Sequence, residues 1–435
     1  MRRMPMVGYL ALFLICISPL IPWYLSGHSI SEISTYADGT HALGQIAALV
    51  GMTMFALTFV LSTRLRFIED IFGGLDKVYV AHSILGGIAF MLLLFHPILI
   101  VLKFIPSDMT QAAKYLLPSS YWSVNFGMIA LVGMIVLLFV TFYIKIKYQR
   151  WKFSHTFLGL FFIFAVLHIF MVRDDAARDM IFTGYYVYAA IVSAIGISAF
   201  IYSLLFKSKG AVIYKIDSIN KTGDHIYDIK LLPKYKSLRY RSGQFVFLRF
   251  FNDKVGNEPH PFSISSMSND NCLRFVIKSL GDFTATLDAL EIGDTVSVEG
   301  PYGRFNHDRG KTDQVWLAGG IGITPFIGMA QDLVSIDMEN HIDLYYSVKD
   351  NKGFIGLGEF KEVERATGGR FRVFPWVTNH DGRLTIKDID EKSGPLKRRE
   401  FCMCGPEGFK NAMKESLTKA GVRKSRIHEE EFTFK

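Results

Sequence analysis

Four cysteines in 435 residues are too few and too scattered for a disulfide framework. Cys16 lies in an apolar run, and Cys272, Cys402 and Cys404 lie in the second half, which is therefore expected in a reducing compartment. The chain has no internal repeat, no low-complexity tract and no acidic calcium-binding loop, which excludes solenoid architectures and EF-hand regulation. Charge is scarce across residues 1–206, and ordinary across 210–435. The net charge of +8 does not point to nucleic acid, because much of the surplus sits in short loops beside apolar runs. No small-residue cleavage site follows the first apolar run, which ends in Pro22-Trp23-Tyr24, so an uncleaved first span is expected and not a signal peptide.

Apolar residues, by contrast, are abundant: 50% of the chain, with 14% aromatic and 37 Phe. Six runs, over 6–25, 44–62, 78–102, 122–144, 153–172 and 181–206, are each long enough to cross about 30 Å of hydrocarbon at 1.5 Å per residue. One set of loops holds eleven Lys and Arg, among them Arg64, Arg66, Lys145 and Lys207. The opposite set holds Lys103, Lys114, Arg173 and Arg178. The richer set is expected in the cytoplasm, together with both termini and the whole second half.

After Lys209-Gly210 the texture changes to short alternating strands, at 211–216, 226–231 and 245–250, separated by turn residues as in an antiparallel barrel. From Gln314 it changes again: a buried strand at 315–318 enters a glycine-rich turn and then a helix, with further buried parallel strands at 342–347 and 401–404.

Only four of the twelve histidines fall inside the spans. His82 and His96 share the third, and His155 and His168 share the fifth. Ionisable groups inside a membrane must have their burial compensated and are functional by default. Spacings of 14 and 13 residues separate two levels by about 21 Å and about 20 Å. Two facing helices would thus offer an imidazole pair at each of two depths, enough to fill both axial positions of two stacked haems. The angular match is uneven. His82 and His96 lie within about 40° of one face, but His155 and His168 stand about 140° apart on an ideal helix, so a π-bulge or similar distortion is expected in the fifth span. The competing reading is four ordinary interior histidines. Phe161, midway between His155 and His168, either fills the gap between haems or simply packs the bundle.

The second half carries local signals that are weak singly. His260-Pro261-Phe262-Ser263-Ile264-Ser265-Ser266 offers hydroxyls and backbone for a flavin ring and ribityl chain. Lys278-Ser279-Leu280-Gly281-Asp282-Phe283-Thr284 is read as preceding a helix, whose N-terminal N–H groups suit a pyrophosphate. Gly300-Pro301-Tyr302-Gly303 is read as a tight turn at the end of the barrel. Gly319-Gly320-Ile321-Gly322-Ile323-Thr324-Pro325 follows a buried strand and opens a helix, the context of a dinucleotide loop, although it lacks the full G-x-G-x-x-G pattern. Cys404-Gly405-Pro406 follows another buried strand and is placed at the border of a nicotinamide. A C-x-C at a strand end without partners is packing in most chains, not a redox or metal pair.

At these residues the sequence resembles the NADPH oxidase and ferric reductase superfamily of flavocytochromes b, and in particular the compact bacterial NADPH oxidases. The resemblance covers nearly the whole chain. It implies a six-helix transmembrane haem-binding bundle followed by a ferredoxin-reductase-like module, an antiparallel β-barrel FAD domain and an α/β nucleotide-binding domain. The expected boundaries are 1–209, 210–310 and 311–435. The implied cofactors are FAD and two haems b, with NADPH or NADH as electron donor. His82 and His155 would bind the inner haem, His96 and His168 the outer one, and Phe161 matches the family's aromatic between them. His260 to Ser263 match the flavin motif, with His260 where soluble reductases carry Arg. Gly319, Gly320, Gly322, Thr324, Pro325, Cys404, Gly405 and Pro406 match the nicotinamide site. Phe432, with Phe434 second, matches a tail aromatic that covers the flavin until nicotinamide displaces it. Ser347 and Lys349 follow the strand where the adenine ribose belongs; Lys349 either meets a 2′-phosphate or is a surface lysine.

The implied activity is transfer of electrons from cytoplasmic NAD(P)H across a plasma membrane to oxygen, giving superoxide, with no obligatory protein partner and no nucleic acid. With no calcium-binding loop, turnover is expected to be constitutive. Two alternatives share the motifs: a ferric-chelate reductase, and an electron-relay or sensor subunit serving a dedicated partner.

Overall fold

The computed structural model describes residues 4–25, 33–105, 107–118, 120–144, 146, 148–172, 182–222, 225–268, 270–308 and 311–430. The chain divides into two compact units, Met1–Lys207 and Ser208–Lys435.

The first unit is helical: α1 (Met4–Ile17), α2 (Leu20–Leu25), α3 (Tyr36–Ser62), α4 (Arg66–Phe72), α5 (Leu75–Leu102), α6 (Met109–Leu116), α7 (Trp122–Tyr143), α8 (Tyr148–Thr156), α9 (Leu158–Met171) and α10 (Phe182–Leu205). Six segments among the described residues are long and apolar enough to cross a membrane. Their outward faces stay apolar, with Phe139, Ile191 and Leu204 more than half exposed, as lipid-facing helices require. The chain is a multi-pass membrane protein. Two of the expected single spans are broken. The first divides at Ser18-Pro19, where proline supplies no N–H to continue the helix. The fifth divides at Phe157, between α8 and α9.

Glycines bring these helices into close contact, the usual device where lipid and protein are equally apolar. A Cβ on Gly51 would stand 2.9 Å from Leu93, and one on Gly159 would stand 2.1 Å from Phe200. At the centre, Phe162 is fully buried, edge-on to Phe55 and Phe59 at ring separations of 5.2 Å each.

The second unit begins with six antiparallel strands, β1 (Val212–Thr222), β2 (Ile226–Pro233), β3 (Phe245–Phe250), β4 (His260–Ser263), β5 (Leu273–Lys278) and β6 (Thr295–Tyr302). Their order is β4-β3-β6-β1-β2-β5. Ser265 N–H donates to Arg274 O at 2.8 Å, which draws the two edges together into a near-barrel. Gly300, Pro301 and Tyr302 lie within β6 and are not the tight turn expected there; Tyr302 pairs with Phe245 across the sheet.

A parallel sheet follows, built from β7 (Gln314–Gly319), α11 (Thr324–Leu333), β8 (Ile342–Val348), α12 (Leu357–Ala366), β9 (Phe371–Val377), α13 (Thr378–Asp381), α14 (Ile386–Ser393), β10 (Glu400–Cys404), α15 (Glu407–Lys419) and β11 (Ile427–Glu429). The order is β11-β10-β7-β8-β9, and β7 is buried along its whole length. Trp316 and Ala318 face one core, with Phe326 and Phe360, while Val315 and Leu317 face the other, with Ile389 and Leu417. This is the doubly wound arrangement of an open α/β sheet.

Barrel and parallel sheet are joined by polar networks. Arg274 donates to Asp228 on β2 and to Glu359 on α12, each at 2.7 Å. Asp332 on α11 accepts from Ser242 Oγ at 2.6 Å and from Ser268 N and Oγ at 2.7 Å each. Burial alone would raise this carboxyl; its bonds from His307, Ser242 and Ser268 hold it below the ordinary carboxylate range.

Candidate functional site

In the membrane unit the four imidazoles come together as two pairs. His82 on α5 faces His155 on α8 with ring centres 6.4 Å apart; His96 on α5 faces His168 on α9 at 6.3 Å. Metal–imidazole bonds are about 2 Å long, so two rings sharing one metal ion in line stand about 6 Å apart. The observed separations therefore suit one iron between each pair.

The ring orientations fit as well. Nδ1 of His82 lies 2.9 Å from Thr58 O, Nδ1 of His96 lies 2.9 Å from Gly44 O, and Nδ1 of His168 lies 2.7 Å from Ser123 O. A carbonyl can only accept, so each of these nitrogens carries the proton and Nε2 is left with its lone pair for a metal. His155 differs: its Nδ1 is buried with no hydrogen-bond partner among the described residues, and its ring stacks on Trp151 at 5.2 Å. These three carbonyls were invisible in the sequence, since any residue supplies one.

The distortion expected in the fifth span is present. It is a tightened turn, not a π-bulge. Phe157 N–H donates to Ser154 O, and Leu160 N–H to Phe157 O, both at 3.0 Å and three residues apart. That turn re-aims α9 relative to α8, so that His155 and His168 both meet α5. Phe161 lies on α9 between the two levels.

In the second unit, His260 lies flat on Phe283, ring centres 3.6 Å apart and planes 18° apart, with the Glu258 carboxylate 3.7 Å away. Pro261 and Phe262 pair with Phe247 and Val246 on β3. Ser263 and Ser265 are buried, and their hydroxyls have no hydrogen-bond partner among the described residues. Buried hydroxyls are ordinarily bonded, so these two suit the polar atoms of a flavin and its ribityl chain. Ser266 is already committed, to Tyr240 OH at 2.7 Å and Arg274 N at 3.1 Å.

The segment from Lys278 differs from expectation. The helix after it is a six-residue 3₁₀ turn, Thr284–Ala289. Leu280 and Gly281 N–H donate to Thr284 Oγ1, at 2.9 and 3.0 Å, because the threonine hydroxyl caps its own turn. Lys278 ends β5 paired with Ile226, and Asp282 accepts from Phe283 N–H.

The nucleotide-loop residues converge at the carboxyl ends of the parallel strands. Ala318 pairs with Cys404 on one side, and Gly319 with Ser347 on the other. Gly320 has φ +55°, the left-handed region that favours glycine. Thr324 and Pro325 are buried at the start of α11. A Cβ on Gly405 would lie 3.0 Å from Gly319 Cα, and one on Gly319 would lie 3.0 Å from Pro406 Cδ. The result is close backbone packing at the carboxyl ends of the strands, the end at which open α/β sheets bind ligands. The Cys404 thiol is fully buried in the core, and burial pushes its pKa well up. What Cys404 presents to Gly322 is its carbonyl. Lys349 is exposed just beyond β8. Phe432 and Phe434 lie outside the described residues.

Known proteins share these parts. Residues 47–166 match the family described as ferric reductase like transmembrane component, residues 213–306 an FAD-binding domain, and residues 316–415 an oxidoreductase NAD-binding domain. The ferredoxin reductase component of 3-ketosteroid-9-alpha-monooxygenase from Mycolicibacterium smegmatis is 30% identical over 199 residues, 45% of this chain and 56% of that protein. The chain thus spans about half the length of that curated relative. Respiratory burst oxidase homolog protein B of Arabidopsis thaliana is 26% identical over 205 residues, 39% of this chain and 23% of that protein. Among solved structures, the flavohemoglobin of Malassezia yamatoensis is similar with a TM-score of 0.51 and 16% identity, over 92% of this chain and 99% of that one, a likeness of fold alone. With a ferric reductase like transmembrane component, an FAD-binding domain and an NAD-binding domain in this order, and respiratory burst oxidase homologues among its relatives, the chain is an oxidoreductase that belongs to the NADPH oxidase and ferric reductase superfamily.

Proposed function

We propose that the protein carries electrons from cytoplasmic NAD(P)H, through FAD and two b-type haems, across the plasma membrane to oxygen, which leaves as superoxide. The observation that supports this reading most directly is the pair of facing imidazole couples, at 6.4 and 6.3 Å, one above the other on α5. Bound FAD would accept a hydride and release its electrons singly, and haem iron would relay them; that chemistry belongs to the cofactors.

The protein's share is placement. Gly319, Gly320 and Gly322 admit the dinucleotide backbone, and Ser347 and Lys349 flank its adenosine end. Cys404, Gly405 and Pro406 border the nicotinamide through their backbone. His260, Ser263 and Ser265 hold the flavin, with Phe283 stacked behind His260. Phe432 covers the flavin ring when nicotinamide is absent. His82 with His155, and His96 with His168, would hold one haem iron at each level. With both imidazoles of the outer pair committed in this way, the outer acceptor would be reduced without binding iron.

Purified protein in lipid should reduce cytochrome c with NADPH, and superoxide dismutase should suppress that reduction. If it does not, and ferric chelate is reduced to ferrous iron instead, the acceptor is iron. Both readings rest on the same transmembrane component, so the acceptor assay separates them. If neither acceptor is reduced without an added protein, the chain is a relay for a partner.

A further inference from the structure

The helix α7 contributes none of the four imidazoles, yet its backbone touches two residues assigned above to the haem region. Ser123 O accepts from His168 Nδ1–H at 2.7 Å. One turn along, Gly127 faces the same ring: a Cβ there would lie 2.8 Å from Nδ1, 3.0 Å from Cε1 and 3.1 Å from Cγ. Further along, a Cβ on Gly133 would lie 2.1 Å from Cε1 and 2.2 Å from Cζ of Phe161. Methyl carbons do not approach aromatic carbons that closely, so either ring would have to move. The imidazole and the phenyl ring are seated in gaps that only glycine leaves open.

We propose that α7 is a template for the outer half of the electron path, in which Ser123, Gly127 and Gly133 are positioning residues. Ser123 selects the tautomer of His168, with the proton on Nδ1 and Nε2 facing inward. Gly127 sets the plane of that ring, which makes 69° with the plane of His96. Gly133 sets the plane of Phe161. At the inner level, neither His82 nor His155 takes its Nδ1 partner from α7: His82 uses Thr58 of α3, and His155 has none among the described residues. The inference rests on the proposed haem ligation. The angle between two axial imidazole planes governs the g values of low-spin ferric iron, so the template has a spectroscopic signature that helix packing alone does not.

The test uses the full-length protein, purified in lipid with its cofactors. Gly127→Ala should shift the g values and the midpoint potential of the outer haem, or lose that haem, and leave the inner signals unchanged. Gly51→Ala is the packing control, since it crowds Leu93 and no proposed ligand. The template is overturned if Gly127→Ala leaves the outer haem unaltered, or if Gly51→Ala produces the same shift. Should Gly127→Ala fail to assemble, Gly133→Ala decides. It should lower the thermal midpoint and slow electron transfer between haems, and a second change, Phe161→Ala, should restore the midpoint. Additive losses would overturn the proposal. Wild-type protein without bis-imidazole haem signals would instead sink the ligation reading itself, which keeps the two failures apart.

Discussion

Gly322 and Cys404 leave each other no room: a Cβ on Gly322 would stand 2.4 Å from the Cys404 carbonyl oxygen. The turn after β7 and the end of β10 are therefore in backbone contact, with no slack between them. Gly322→Ala should displace the loop by about 1 Å, and displacements of that size cost about 100-fold in rate. Stopped-flow reduction of the flavin by NADPH should slow accordingly, with flavin and haem content unchanged. Flavin reduction at the wild-type rate would show that this contact does not shape the nucleotide site.

His96 and His168 act as one unit in the proposed ligation. Replacing either with Ala should remove one haem of the two per chain, and replacing both should remove no more. Pyridine haemochrome analysis against protein concentration measures this directly. Loss of both haems from His96→Ala would mean that the levels are not independent.

The two levels also differ in their outer contacts. Among the described residues, both outer imidazoles donate Nδ1–H to a carbonyl, whereas at the inner level His82 alone does. Such bonds raise ligand basicity and stabilise the ferric state. The inner haem should therefore have the higher midpoint potential. Redox titration of wild type, with the levels assigned through His96→Ala, tests the order.

Arg274 holds two carboxylates from different parts of the second unit, and its side chain is 16% exposed. Arg274→Ala would leave Asp228 and Glu359 without their cation, a loss of about 3–5 kcal/mol for such partly buried networks. Thermal release of flavin fluorescence should come at a clearly lower temperature. Lys221→Ala, which breaks an exposed pair with Asp288, should change nothing measurable.

Asp332 carries the pH dependence of the same interface. Its carboxyl is held below the ordinary range, so its contribution is complete above about pH 4 and is lost as pH falls through the lower, folded value. Ser268→Ala removes one of the bonds that lower it and should move the onset of acid unfolding of the second unit to higher pH. Circular dichroism across an acid titration would show the shift; coincident curves would contradict it.

Much of this molecule is legible residue by residue. Long apolar runs dictate spans because lipid offers no partner for an unpaired backbone group. Histidines 14 and 13 apart on two such runs dictate two depths because helical rise is constant. Alternation in 226–231 and continuous burial in 315–318 separate a half-buried barrel strand from the interior strands of a parallel sheet, whereas 245–250, read as alternating, is buried at five of its six positions. Each of these follows from short-range chemistry that a linear chain displays openly.

What only the tertiary structure decided is how those pieces are aimed. The turn at Phe157 that brings His155 and His168 to one partner helix is set by packing around α8 and α9. The carbonyls of Gly44, Thr58 and Ser123 become acceptors only through the rotation of their helices. The Thr284 hydroxyl that claims the Leu280 and Gly281 amides, and the fork of Arg274, join groups that no spacing rule connects. Periodicity constrains a residue's face and depth, because both follow from the backbone's own repeat. Which side chain meets which neighbour depends on contacts between distant segments, and those exist only once the chain has packed.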